Sequence, residues 1–179
     1  MADDTGPTSD EQFNNRVALS IALIATFLAV STIKSGNVEQ SLAQAQAERN
    51  NSWAWYQAVR VREDMATYEL ANLKRAAHSN EVAAQEEELR RIRDRLAEVS
   101  GRAKAAEKDL ERLNALADQY DLSDALIAIA MSLLAVCALV RNRPLYWFGF
   151  ATAAAGAAWA SASMAGIILP ARQWLAWLI

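Results

Sequence analysis

The chain has 179 residues, a hydrophobic content of 53% and a formal net charge of -3, with one cysteine and one histidine. A small charge of mixed sign gives nucleic acid no basic patch to bind. A single cysteine excludes an intramolecular disulfide, and one Cys with one His leaves almost no ligands for a zinc site, so no metal or cofactor is expected.

Residues 1–16 read as an N-terminal tail carrying Asp3, Asp4, Asp10 and Glu11. An acidic start of this kind argues against a signal peptide, which opens on basic residues. The first apolar run, Val17 to Ile33, is bounded by Arg16 and Lys34. It is about 17 residues long, near the lower limit for crossing about 30 Å of hydrocarbon, and a first transmembrane helix is assigned to 17–35.

A long charged segment, 36–120, follows. Its second half repeats apolar residues at alternating three- and four-residue steps: Leu89, Ile92, Leu96, Val99, Ala103, Ala106, Leu110, Leu113, Ala117 and Tyr120. That spacing keeps one apolar seam facing a partner helix and marks a coiled coil. The first half carries a poorer register: Val38, Leu42, Ala45, Tyr56, Val59, Ala66, Leu70, Leu73 and Ala77 fit, whereas Arg49, Ser52 and Glu63 place polar groups on the seam. Between the halves, Lys74, Arg75 and His78 precede Ser79, Asn80 and Glu81. Cations ending one helix and anions opening the next complement both helix dipoles, and Ser79 or Asn80 can cap the second. The segment is therefore predicted to fold as an antiparallel helical hairpin with its tip near 78–80. Its arms, Val38–His78 and Glu81–Tyr120, each extend roughly 60 Å at 1.5 Å per residue. Folding it there sets Trp53, Trp55 and Tyr56 opposite Gly101 to Ala106, so that large residues face small ones and aromatic bulk accounts for Gly101. His78 is read as a solvated cation at a helix end. Glu86–Glu88 with Arg90, Arg91, Arg93 and Arg95 reads as ion pairing on a wet helix face.

The second apolar run, Ala125 to Val140, is lengthened from Tyr120 with Asp121 and Asp124 at the interface, giving a second transmembrane helix over 121–141. Cys137 lies inside it as a small apolar filler. A third, 145–169, has no ionisable side chain and is long enough to span with tilt; Tyr146 and Trp147 stand where an aromatic belt belongs. It carries small residues four apart, Gly149 with Ala153, Gly156 with Ala160 and Ala162 with Gly166, the spacing that lets helices approach closely in lipid, for helix packing or oligomerisation. Residues 170–179, with Trp174 and Trp177, read as a segment lying at the membrane surface. Arg16, Arg141 and Arg143 put the N-terminus in the cytoplasm and the stalk outside it, in the periplasm if the cell is bacterial.

Two stretches give the chain a likeness to known proteins: Phe13-Asn14-Asn15-Arg16-Val17-Ala18 leading into the first span, and Ala43 to Ala47 followed by Ser52-Trp53-Ala54-Trp55-Tyr56-Gln57-Ala58. Over roughly residues 11 to 170 it resembles bacterial proteins of the domain-of-unknown-function 4337 family. The resemblance implies a bacterial inner-membrane protein with flanking spans and a helical middle. It brings no catalytic residue with it.

The expected fold class is thus an all-α membrane protein, with three transmembrane helices and a long antiparallel coiled-coil stalk between the first and second. The expected function is a non-enzymatic scaffold in the lipid bilayer that self-assembles into a homo-oligomer or docks to a larger inner-membrane complex. No Ser/His/Asp set, phosphate-binding loop or paired carboxylates point to an enzyme. A homo-oligomeric channel or transporter subunit is the alternative, with Ser20, Thr26, Ser132 and Ser161 as pore hydroxyls in place of ionisable groups. An envelope sensor is another, with Gly101 and the polar seam residues supplying a bistable coil.

Overall fold

A computed structural model of the chain describes residues 9–76 and 79–169. Among them the structure is all helical: α1 is Ser9–Arg75, α2 is Ser79–Val140 and α3 is Arg143–Met164. Neither long helix contains a proline; α1 observes the dipole rule at both ends and α2 at its first turn. Asp10 and Glu11 lie in the first turn of α1, Lys74 and Arg75 in its last, and Glu81 in the first turn of α2. Helix α1 ends at Arg75 and Ala76 is a turn, three residues before α2 begins. His78 lies outside the described residues, as do Ala77, Trp174 and Trp177.

The chain divides into two compact units, to each of which α1 and α2 contribute. The described residues up to Gln40 and those from Asn114 form the first; Ser41–Leu113 forms the second.

In the first unit α1 begins at Ser9, so the later part of the segment read as a tail is helical. Phe13 packs edge-on against Tyr146 with ring centroids 5.8 Å apart, and Asp10 Oδ2 accepts from Arg141 Nη1 at 2.8 Å. These contacts hold the turns ahead of Val17. Val17, Leu134 and Cys137 form a fully buried core, with Phe13, Ile21, Ile24, Ala138, Leu145 and Tyr146 around it. Helices α1 and α2 run antiparallel here, since Asp10 meets Arg141 and Ser31 meets Asp124 (Ser31 Oγ to Asp124 Oδ1, 3.4 Å). Ser20 Oγ shares a 3.0 Å hydrogen bond with Tyr146 Oη, which ties α1 to α3. Helix α2 touches both neighbours and buries a continuous stripe at four-three spacing: Ser123, Ile127, Ala130, Leu134 and Cys137 are all fully buried.

The turn from α2 to α3 is two residues long. Arg141 adopts a left-handed φ of 55°, and Asn142 caps α3 by accepting from the Leu145 amide, with Pro144 in the first turn. At its other end α3 stops at Met164, before the apolar run does. The amide of Gly166 donates to Ser163 O and that of Ile167 to Ala162 O, both at 3.0 Å, and Gly166 has a φ of 73°. This is a Schellman ending, which needs a residue free to take positive φ. Helix α3 is thus shorter than the 145–169 span expected of it. Helices α1 and α2 each contain a segment long and apolar enough to cross a membrane, only 11% buried in α1 and 28% in α2.

In the second unit the helices again run antiparallel. Lys74 Nζ lies 2.7 Å from Glu86 Oε1, Arg93 Nε donates to Glu63 Oε1 at 3.0 Å, and Gln85 Nε2 donates to Ala66 O at 3.3 Å.

Candidate functional site

Among the described residues no three His, Cys, Asp or Glu side chains come together in a way that could hold a metal ion.

The small residues of α3 meet α2. Gly149, Ala153, Gly156 and Ala160 are buried, and Ser163 extends their four-three spacing. A Cβ added at Gly156 would lie 2.8 Å from Ile127 Cγ1 and 3.1 Å from Ser123 O, so the backbones are in close approach. Ser123 Oγ crosses the gap to donate to Gly156 O at 2.9 Å. This stripe therefore packs α3 onto α2 within one chain. Ala162 is half-buried, and Gly166 lies beyond the helix with open space around it. Their pairing on a packed face, expected from spacing alone, does not occur, because the helix ends between them at Met164.

A residue that sequence reasoning missed lies across from that ending. Gln119 is fully buried. With its amide turned to match its neighbours, Nε2 donates to Ile167 O at 3.3 Å and Oε1 accepts from Leu169 N at 2.9 Å. It pairs backbone groups of the segment that follows the end of α3. No signal in the sequence marks it, because its partners are set by the tertiary path.

In the second unit Leu89 and Val99 are buried, while Ile92, Leu96, Leu110 and Leu113 are half-buried. Ala45, Val59 and Ala66 are the buried residues of the α1 arm. The polar seam residues Arg49, Ser52 and Glu63 are half-buried. The Glu63 side chain, 13% exposed, is held between Arg60 at 3.4 Å and Arg93 at 3.0 Å, which is how a carboxylate is accommodated there. On the wet face, hydrogen bonds from Arg90 and Arg91 lower the Glu87 carboxyl to about 2.

The aromatic motif divides between two environments. Trp53 stacks edge-on against Tyr56, centroids 5.4 Å apart, and lines a shallow groove with Arg49, Asn50, Ala54, Gln57 and Glu107. Trp55 turns outward, 47% exposed, beneath the Arg95 guanidinium at 5.6 Å. Around Gly101 no atom lies within 4 Å of where a Cβ would sit. Aromatic bulk therefore does not account for that glycine, contrary to the expectation from folding the hairpin on paper. Gly101 lies on the exposed face of α2, off the seam of Val99 and Ala103, so a hairpin folded near Ser79 brings no ring to it.

A second apolar row on α1 went unnoticed in the sequence. Val61, Met65 and Tyr68, each more than half exposed, continue the exposed Ala54 and Ala58 at four-three spacing. They lie two residues past Val59, Glu63 and Ala66, on a different face from the intrachain seam. The signal was the same period that reveals the seam, hidden because only one register was followed.

Residues 13–166 match a family model described as a domain of unknown function (DUF4337). Comparison with curated proteins and with solved structures gives no match.

Proposed function

The chain belongs to the DUF4337 family, and on that premise, with no activity attached to the family's description, we propose that it is a non-enzymatic scaffold anchored in the bacterial inner membrane. The observation that carries the reading is the exposure of its apolar helices. The membrane-length segments of α1 and α2 are 11% and 28% buried, far from the state of core helices in a soluble protein. Leu19, Leu23, Ile33, Ile129 and Leu139 are all more than half exposed, and lipid is the solvent that such surface requires. Helix α3, 22 residues long and less apolar than the spans of α1 and α2, packs its small residues on α2. Arg16, Arg141 and Arg143 mark the cytoplasmic side. The antiparallel pair Ser41–Leu113 then acts as a periplasmic coiled-coil stalk. Its outward row of Val61, Met65 and Tyr68 supplies the surface through which copies of the chain associate, as symmetric copies commonly do.

The test is membrane fractionation followed by native mass spectrometry of the detergent-extracted full chain. Extraction that requires detergent, with a discrete multiple of the 19.6 kDa chain mass, is the expected result. A monodisperse protein soluble without detergent overturns the membrane anchor, and a mass that includes a different protein replaces self-assembly with docking.

A further inference from the structure

Beside the α2–α3 turn lies a cavity of about 370 Å³, lined by Gln12, Phe13 and Arg16 from α1 and by Arg143, Tyr146 and Trp147 from α3. Three arginines gather at this end of the unit. Arg141 is neutralised by Asp10 at 2.8 Å. Arg16 and Arg143 form no ion pair among the described residues, and the cavity lining contains no carboxylate. Arg143 also occupies the first turn of α3, where the dipole of a 22-residue helix adds to the positive potential. Tyr146 anchors the aromatic side of the wall. Tyr146 Oη is engaged with Ser20 Oγ at 3.0 Å, and the Tyr146 ring meets Phe13 at 5.8 Å and Trp147 at 5.6 Å, both edge-on.

Two exposed guanidinium groups on different helices, without an ion pair among the described residues and with Phe13, Tyr146 and Trp147 beside them, match a phosphate with apolar substituents. Guanidinium binds phosphate oxygens in pairs, and aromatic rings accept the glycerol and first methylenes beside them. Arg16 immediately precedes the apolar run at Val17, and Arg143 precedes Leu145 by two residues. On the membrane reading, on which this inference rests, both stand at headgroup depth. We propose that this cavity binds the phosphodiester headgroup of an anionic phospholipid from the leaflet on the N-terminal side, held between Arg16 and Arg143. Arginines merely solvated among bulk headgroups would show no saturable, stoichiometric binding.

The full chain in non-ionic detergent is titrated with phosphatidylglycerol or with phosphatidylcholine of the same acyl chains, and retained lipid is counted by native mass spectrometry. One phosphatidylglycerol per chain is expected, with affinity roughly thirtyfold above phosphatidylcholine, the effect of two interfacial basic residues. Arg16→Gln with Arg143→Gln is expected to abolish that preference while leaving the protein mass and helical melting unchanged, and the double Lys replacement to keep part of it. Equal retention of the two lipids, or a preference that survives the double Gln variant, overturns the site. Inorganic phosphate at millimolar concentration serves as the competing probe. If it binds without lipid and displaces phosphatidylglycerol, the ligand is a soluble phosphate and the lipid assignment fails; no displacement is expected. A wild-type chain found in the aqueous fraction without detergent refutes the membrane reading itself. A chain that needs detergent but shows no headgroup preference refutes only this site.

Discussion

At Gly156 an added Cβ would stand 2.8 Å from Ile127 Cγ1, 3.1 Å from Leu126 Cβ and 3.1 Å from the carbonyl oxygen of Ser123. Two of those neighbours are a backbone atom and a Cβ, which cannot swing aside. At Gly149 the nearest atoms, 3.2 to 3.4 Å away, belong to the side chains of Leu134 and Leu133, and Leu134 can shift by a few tenths of an ångström. The two glycines look alike in sequence, each opening a small-residue pair, but their tolerance differs. Gly156→Ala is expected to destabilise the chain by about 1–3 kcal/mol through overpacking and to weaken the Ser123–Gly156 hydrogen bond. Gly149→Ala should lie near neutral, because the gain in helix propensity, about 1 kcal/mol, offsets the contact. Thermal melting of both variants in detergent checks the contrast; equal losses would mean that the α2–α3 approach is not closest at Gly156.

At the scale of elements, the helices show what periodicity can and cannot convey. In the α2 arm the buried residues Leu89, Val99 and Ala103 fall on the three-four spacing read from the sequence, because one helix facing one partner leaves a single stripe. Farther along, α2 faces two partners, and its fully buried residues move to a neighbouring register, Ser123, Ile127, Ala130, Leu134 and Cys137, which the seam read from Leu89 to Tyr120 does not predict. The end of α3 was misplaced because hydropathy continues through Ile167 to Leu169, whereas the backbone obeys Gly166 at the cap position. That glycine was visible, but an apolar run outweighed it. Gln119 could not be read at all, since its partners, Ile167 O and Leu169 N, are fixed only by the tertiary path. Gly101 gives the test that belongs to this scale. It lies exposed inside α2, with open space at its Cβ position. Gly101→Ala is expected to stabilise by about 1 kcal/mol, raising the melting temperature by about 2–4 °C for a chain of this size. A loss of stability would reveal a contact at that face that a single chain does not make.

Across the whole molecule, exposed apolar surface occurs in two chemical settings, and they require different partners. In the first unit, Leu19, Leu23, Ile129, Val136 and Leu139 are exposed within segments almost free of charge, and hydrocarbon suffices to cover them. In the second, Val61, Met65 and Tyr68 stand among Arg60, Arg62, Asp64 and Glu69, four exposed charged residues. Hydrocarbon would be a poor environment for those charges, so protein rather than lipid is the cover this row calls for. Met65 is 66% exposed in the single chain, so Met65→Glu should change the stability of the α1–α2 pair by no more than about 0.5 kcal/mol. In an assembly that buries the row, the same change forfeits about 1.5–3 kcal/mol of apolar burial and adds an unpaired charge. Native mass spectrometry of Met65→Glu is therefore expected to show a shift from the multiple toward the single-chain mass, with circular dichroism and melting retained. An unaltered multiple would remove the row from the interface and leave the exposed apolar faces of the first unit as the surfaces that join the copies.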